Sequence, residues 1–186
     1  MHYSKFFKSI PQELKGLFEQ SEYVWDVLKV LRDWVDTATG GKVVMGKDVL
    51  VEEGALIEGP CWIGSGCKIL HGAAVRPYTV LCDGAVIGHC TEVKRSILLE
   101  GAKAPHFNYI GDSILGANVN MGAGAKTANL RFDGKVIKVD GIDTGLRKFG
   151  VILGDSAQVG CNCILGPGCL IDPNRLCRPC SYVGAG

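Results

Sequence analysis

The sequence predicts an all-β protein built as a parallel β-helix, with a short helical segment in front of it. Two observations carry this prediction: an aliphatic residue recurs at every sixth position, and a small residue follows most of them four positions later. A continuous α-helix would repeat every 3.6 residues and an alternating strand every 2 residues, so the six-residue period fits neither. The aliphatic positions are Met45, Val51, Ile57, Ile63, Ile69, Val75, Leu81, Ile87, Val93 and Leu99.

The six-residue period fits a coil of three short strands, each turning into the next, with roughly eighteen residues per coil. We expect the aliphatic residues to fill the triangular core and the small residues to lie near its corners. The period returns from Leu153 onward. On this reading four of the nine cysteines are small buried residues of the repeat, namely Cys61, Cys67, Cys163 and Cys169. The 26 glycines stand beside only 7 prolines and 47% hydrophobic residues, which favours regular turns over disorder.

Two stretches lie outside the repeat. Residues 1–40 form a predicted N-terminal helical segment, because apolar residues recur at helical spacing between 11 and 36. We expect these helices to cover the open end of the first coil, where strand edges would otherwise be unpaired. The β-helix domain is predicted at 41–186, with an inserted loop at 126–150. A long excursion from a regular solenoid is often functional.

Composition excludes several classes of function. The net charge is +1, so no basic excess indicates a nucleic-acid partner. Apolar runs are too short to span a membrane, and the first residues lack a signal-peptide core, so we expect a cytoplasmic protein with no membrane partner. The cysteine count is odd, and the single Cys177-x-x-Cys180 pair is weak support for zinc.

Residues eighteen apart should stack on one face of the β-helix. Glu58, Arg76 and Lys94 then share a column, and two neighbouring cations indicate either a bound phosphate or a solvated stripe. His71 and His89 also stack, with His106 seventeen residues further on. Three stacked histidines could hold a metal, or they could stack only because the fold is periodic. We favour a chemical role for His106 alone.

A specific resemblance is carried by the motif K-A-P-H-F-N-Y-I-G-D at 103–112 and by N-M-G-A-G and N-L-R-F-D-G-K further on. From about residue 45 to 172 the chain resembles the acetyltransferase domain of the bifunctional N-acetylglucosamine-1-phosphate uridylyltransferase/glucosamine-1-phosphate acetyltransferases, and looks closer still to their archaeal-type relatives. The resemblance implies a left-handed β-helix, a homotrimer with sites between neighbouring chains, and acetyl-CoA as co-substrate. It implies no metal in the acetyl-transfer site. The nucleotidyltransferase domain of those relatives is not expected in this chain.

The same resemblance assigns the site residue by residue. His106 matches the general base, and Asn129 matches a residue near the acetyl group. The residues matched to the amino sugar phosphate are Arg76, Lys94, Tyr109, Asn120, Lys135 and Lys138. Ala123 and Cys161 match contacts to CoA, although Cys161 stands where the bacterial enzymes usually have serine. Leu130 replaces a tyrosine, and the sequence after Ile171 departs from the bacterial tail that holds CoA.

The implied chemistry is reasonable for these residue types. An amine attacking a thioester must lose a proton, and a histidine has a pKa near neutrality. Backbone donors or Asn129 could stabilise the oxyanion that forms. Cys161 could instead be a nucleophile, but we read it as structural. The sequence therefore predicts an N-acetyltransferase acting on an amino sugar 1-phosphate in UDP-N-acetylglucosamine biosynthesis, with glucosamine 1-phosphate as the favoured acceptor. The alternatives are a hexapeptide-repeat acyltransferase for another acceptor, such as a nucleotide-linked amino sugar, and a non-catalytic assembly module.

Overall fold

The structure is a computed structural model that describes residues 1–184. Three seven-stranded parallel sheets form the walls of a triangular β-helix, which confirms the predicted fold class. Sheet A contains β1 (Val43–Met45), β4 (Cys61–Ile63), β7 (Thr79–Leu81), β10 (Ile97–Leu98), β13 (Ile114–Leu115), β18 (Val151–Leu153) and β21 (Cys169–Ile171). The last two residues of the predicted β-helix domain, 185 and 186, lie outside the described residues.

Sheets B and C complete each coil in chain order. Sheet B contains β2 (Leu50–Val51), β5 (Lys68–Ile69), β8 (Val86–His89), β11 (Lys103–His106), β14 (Asn120–Met121), β19 (Gln158–Val159) and β22 (Leu176–Cys177). Sheet C contains β3 (Leu56–Ile57), β6 (Ala74–Val75), β9 (Glu92–Lys94), β12 (Tyr109–Gly111), β15 (Lys126–Thr127), β20 (Ile164–Leu165) and β23 (Tyr182–Val183).

The register reveals where the regular repeat changes. Cys61 pairs with Thr79 eighteen residues later, but Val80 pairs with Ile97, only seventeen residues later. One residue is therefore missing from a turn, and the inward position after Val93 is Leu98 rather than the predicted Leu99. Leu98 joins the core inside the β-helix, whereas Leu99 belongs to a second apolar cluster outside it.

The four cysteines assigned to the repeat are all buried in the core, as predicted. Burial raises the pKa of Cys61 and of Cys67 to about 11, and the pKa of Cys169 to about 12. A thiol with so high a pKa stays protonated near neutrality and packs as a small apolar side chain.

The N-terminal segment contains α1 (Gln12–Glu19) and α2 (Val27–Thr39), in the region where helical spacing predicted them. Two one-turn 3₁₀ helices accompany them, at Tyr3–Lys5 and Val24–Asp26. Neither α-helix in residues 1–184 has the length and apolar character needed to cross a membrane.

The predicted position of these helices is wrong. They do not cover the open end of the first coil but pack against the outer face of sheet A. Trp34 lies 5.8 Å from Trp62, ring centre to ring centre, and other side chains pack against Val80, Ile97 and Ile152. The reason is that the outward positions of sheet A are themselves apolar, so this face offers more surface to bury. The first coil stays open, since its inward residues Met45 and Val51 are 44% and 41% exposed.

The excursion begins two residues later than the sequence suggested. Lys126 and Thr127 form β15 and pair within sheet C, and the chain leaves the β-helix at 128 and returns at Val151. It forms an antiparallel hairpin of β16 (Lys138–Val139) and β17 (Ile142–Asp143). Its apolar side chains join the helix-covered cluster, and Phe149 lies 6.3 Å from Trp25, ring centre to ring centre.

Candidate functional site

A single column of residues runs along the edge where each sheet B strand turns into sheet C, which we call the B/C edge. From the bottom upward it contains His71, His89, His106, Ala123 and Cys161. Backbone hydrogen bonds link successive levels: the carbonyl of His89 accepts from Phe107 N at 2.9 Å, that of His106 from Gly124 N at 2.9 Å, and that of Ala123 from Asn162 N at 2.8 Å. The predicted base thus lies directly below both predicted CoA contacts.

The three histidines of this column do not have equivalent surroundings. Nδ1 of His71 lies 2.6 Å from the backbone carbonyl oxygen of Glu53, and Nδ1 of His89 lies 3.1 Å from the backbone carbonyl oxygen of His71. A carbonyl oxygen only accepts, so both Nδ1 atoms carry the proton. The two rings stack at 5.8 Å.

His106 breaks this series because the next residue occupies the space above His89. Phe107 has a left-handed backbone, with φ 53°, and its ring packs edge-on against His89 at 5.3 Å. The ring of His106 is exposed and forms no hydrogen bond within residues 1–184. In that part of the chain no three His, Cys, Asp or Glu side chains converge as a metal site would require.

A buried asparagine fixes the backbone of His106. Asn108 is 3% exposed, and its Oδ1 accepts a hydrogen bond from His106 N at 3.1 Å. Its Nδ2 donates to the carbonyl oxygens of Gly122 at 2.7 Å and Ala125 at 3.1 Å, one coil higher. The exposed imidazole is therefore carried on a rigid support, which favours a defined ring position.

The charged column on sheet C is partly neutralised within the chain. Nη1 of Arg76 lies 2.9 Å from Glu92 and its Nε lies 3.6 Å from Glu58. The hydrogen bond that Arg76 donates to Glu92 is the main reason that the pKa of Arg76 is raised. Lys94 lies in the same column, and it forms no ion pair within residues 1–184. Glu58 and Glu92 thus neutralise Arg76 in part, and Lys94 retains an uncompensated charge.

A second cluster joins Tyr109 and Asn129 to two residues that the sequence reasoning missed. Nδ2 of Asn129 lies 3.4 Å from the Tyr109 hydroxyl and also donates to the carboxylate of Asp112, which pairs with Arg95. Burial is the main cause of the raised pKa of Tyr109, and the charges of Asp112 and Glu92 add to it. This cluster lies where the excursion leaves and rejoins the β-helix.

The remaining predicted site residues lie apart from His106. Asn120 projects from sheet B between Lys103 and Gln158 in the ladder. Lys135 and Lys138 lie on the excursion and are exposed. Lys138 lines a groove of about 750 Å³ between the excursion and the last coils, together with Phe132 and Tyr182. No hydrogen bond or ion pair within residues 1–184 joins these three predicted residues to His106.

Asn108, Glu92, Arg95 and Asp112 are the residues that the sequence analysis missed. The signal for two of them was a spacing of seventeen, which places Asp112 one coil above Arg95. The eighteen-residue columns used for Arg76 and Lys94 do not detect such a pair. Asn108 occupies the inward position of its repeat at which a small residue is expected. Because asparagine is polar, the pattern of apolar and small residues does not identify it.

Comparison with known proteins identifies relatives over most of the chain. A family described as the GMPPB C-terminal domain matches residues 57–143. The chain is 40% identical over 188 aligned residues to a protein named bifunctional protein GlmU from Methanocaldococcus jannaschii, which covers 86% of this chain and 46% of the relative. It is 43% identical over 132 residues to a bifunctional sugar-1-phosphate nucleotidylyltransferase/acetyltransferase from Sulfurisphaera tokodaii, covering 69% of this chain and 33% of the relative.

The chain thus spans about half the length, or less, of these curated relatives. Among solved structures, a putative acetyltransferase from Desulfovibrio desulfuricans G20 is similar over 86% of this chain and 30% of its own, with 14% sequence identity and a TM-score of 0.45. The relatives above match the region that forms the β-helix, and they carry further sequence outside it.

Proposed function

Since the chain is a homologue of the GlmU-type bifunctional proteins over the region that forms its β-helix, we propose that it is an acetyl-CoA-dependent N-acetyltransferase for an amino sugar 1-phosphate. Glucosamine 1-phosphate is the favoured acceptor, and the reaction belongs to UDP-N-acetylglucosamine formation. The observation that carries the proposal is the free imidazole of His106, held on a rigid edge directly below Ala123 and Cys161.

The acceptor's amino group is an ammonium near neutral pH, so it first gives one proton to solvent, and the resulting amine attacks the thioester carbonyl of acetyl-CoA. The N–C bond forms, His106 takes the proton from nitrogen, and the C–S bond then breaks to release CoA, which receives that proton as a thiol. General-base catalysis of this kind contributes about 10²- to 10⁴-fold. No covalent enzyme intermediate is needed, and no base within residues 1–184 hydrogen-bonds to the thiol of Cys161.

The sugar phosphate is proposed to lie along sheet C. Lys94 offers an unpaired cation, and Arg76 would exchange its carboxylate partners for the phosphate. Tyr109 begins the sheet C strand that follows the turn after His106, two residues before Gly111, which pairs with Lys94. Lys135 and Lys138 are proposed to reach the bound substrates from the excursion, and Asn120 to complete a site shared with a neighbouring chain in a homotrimer. We propose a cytoplasmic location for this reaction.

A thiol-release assay tests the proposal. Purified protein is incubated with acetyl-CoA and a panel of acceptors that includes glucosamine 1-phosphate, galactosamine 1-phosphate and nucleotide-linked amino sugars. We expect the fastest CoA release with glucosamine 1-phosphate. Faster release with a nucleotide-linked sugar would replace the proposed acceptor, and no release together with no CoA binding would support a non-catalytic assembly module.

A further inference from the structure

Asp112 is a buried carboxylate at the junction between the β-helix and the excursion. Its side chain is 1% exposed and accepts from Nε of Arg95 at Oδ1 and from Nδ2 of Asn129 at Oδ2. Its backbone carbonyl accepts from Gly150 N at 2.8 Å, and Arg95 also donates to the carbonyl oxygen of Lys148 at 3.1 Å. Both ends of the excursion are therefore tied to this carboxylate and its arginine.

This contact fixes which way the amide of Asn129 faces. An ionised carboxylate can only accept, so the NH₂ group of Asn129 must point at Asp112. The other hydrogen of Nδ2 points toward the Tyr109 hydroxyl, at 3.4 Å. Both donors of Asn129 are thus engaged, while its Oδ1 accepts no hydrogen bond from any residue in 1–184. No fully buried side-chain oxygen or nitrogen in that part of the chain lacks a partner, so this Oδ1 is not fully buried.

We propose that Asp112 is a positioning residue that holds Asn129 with its Oδ1 toward the substrate, where it accepts a hydrogen bond from the amino group of the acceptor. This inference rests on the proposed function. It replaces the oxyanion-stabilising role expected of Asn129, because a carbonyl oxygen cannot donate to an oxyanion. The amino group of the free sugar is an ammonium near neutral pH, so the hydrogen bond to Oδ1 is charge-assisted.

The isosteric substitution Asp112→Asn inverts this arrangement. Arg95 can only donate, so the oxygen of the new amide must face Arg95. The new NH₂ group then faces Asn129, which has to rotate and present its own oxygen to it. The NH₂ group of Asn129 would consequently point at the substrate's ammonium, where no hydrogen bond can form.

Calorimetric binding without acetyl-CoA tests this inference. The ligands are glucosamine 1-phosphate and 2-deoxyglucose 1-phosphate, which lacks the amino group. We expect the wild-type protein to bind the amino sugar more tightly than the deoxy sugar. Asp112→Asn should reduce the ratio of the Kd for the deoxy sugar to the Kd for the amino sugar by about 10-fold, the size of one hydrogen bond to a charged group. The affinity for the deoxy sugar should stay within about 2-fold, because it lacks the donor.

Two further variants separate positioning from folding. Asn129→Leu keeps the shape but removes the acceptor, and it should lower the same ratio to the same extent. Asp155→Asn is the matched control, since that carboxylate holds backbone amides of Lys8 and Ala117 on the helix-covered side, and it should leave the ratio unchanged. Circular dichroism checks that each variant is folded.

The outcomes distinguish the two proposals. If the wild-type protein prefers the amino sugar and both Asp112→Asn and Asn129→Leu retain that preference, the positioning role is overturned while the proposed function stands. If the wild-type protein binds neither sugar phosphate, both proposals are overturned.

Discussion

Sheet A and the B/C edge are built from the same repeat, yet their outward residues have opposite surroundings. On sheet A the outward residues Val80, Ile97, Leu99, Ile114 and Ile152 are at most 1% exposed, because the N-terminal helices and the excursion cover them. On the B/C edge the side chains of His71, His89, His106 and Cys161 are exposed. From Cys61 to Ile171 the inward positions of both regions are buried in the β-helix core.

This difference separates outward positions that stabilise the fold from outward positions that can take part in catalysis. The repeat decides only what points inward, whereas the outward positions are free to serve either packing or ligand binding. Sheet A uses them for packing, so a change there should act on stability. The B/C edge uses them for polar groups on a rigid backbone, so a change there should act on turnover and leave stability nearly intact. The following predictions test this division, from the largest expected effect to the smallest.

The covered face gives the largest expected loss of stability. Phe149 is fully buried between sheet A and Trp25, so Phe149→Ala should lower the free energy of unfolding by about 3–5 kcal/mol. Phe132 in the same excursion is fully exposed, so Phe132→Ala should change it by less than about 0.5 kcal/mol. Chemical denaturation of both variants measures the two values. Equal losses would show that the excursion is not held by the covered face.

On the B/C edge, His106→Ala should lower kcat at least about 10²-fold, the low end of the effect of a general base. The exposed imidazole has no hydrogen bond to lose within residues 1–184, so the melting temperature should change little. The matched control is His71→Ala, two coils lower in the same column, which should retain wild-type turnover. Near-normal turnover of His106→Ala would rule out its role as the base.

The sequence predicted the inward half of this comparison well. An aliphatic residue needs a dry core whatever surrounds the coil, so six-residue spacing alone identified the β-helix and its buried cysteines. The error at Leu99 has a local cause: one turn is a residue shorter, and the outward and inward positions beyond it are exchanged. Because Ile97, Leu98 and Leu99 are all aliphatic, composition gave no sign of the shift.

The outward half was harder to predict from the sequence. The helices were expected beneath the first coil because amphipathic spacing shows that a helix packs, but not which surface it packs against. The site residues other than the stacked columns came from resemblance, and whether they take part in the reaction stays a prediction. The cluster of Asp112, Arg95 and Asn129 depends on where a 23-residue excursion rejoins the coil, which no fixed spacing encodes.

Binding on sheet C should show a smaller, specific effect. Lys94 carries a charge without a carboxylate partner in residues 1–184, so Lys94→Ala should raise the KM for the amino sugar phosphate about 10-fold, the value of one charged hydrogen bond. The KM for acetyl-CoA should not change. Lys15→Ala on α1 serves as the control, because that lysine lies on the helical segment and pairs with Glu19 at 3.7 Å. A KM change for both substrates would argue against a local phosphate contact.

The smallest expected effect concerns the buried thiols of the inward repeat. An unfolded cysteine has a pKa of about 8.5, whereas burial raises the pKa of Cys61 and Cys67 to about 11 and that of Cys169 to about 12. Between those values the unfolded chain loses thiol protons that the folded chain keeps, so the free energy of unfolding should fall as the pH rises from about 8.5 toward 11. Below that window the thiols should not affect the pH dependence of stability.

Cysteine variants separate this effect from other alkaline titrations. Cys169→Ala should flatten the fall in stability between pH 8.5 and 10.5, as measured by urea denaturation, because it removes one thiol whose pKa differs between the two states. Cys161→Ala is the matched control, because it removes a thiol that is exposed on the B/C edge rather than buried in the core. An equal slope in wild type and Cys169→Ala would mean that the alkaline loss arises outside the core. A flatter slope in Cys169→Ala alone would show that the pH dependence arises from the buried thiols of the β-helix core.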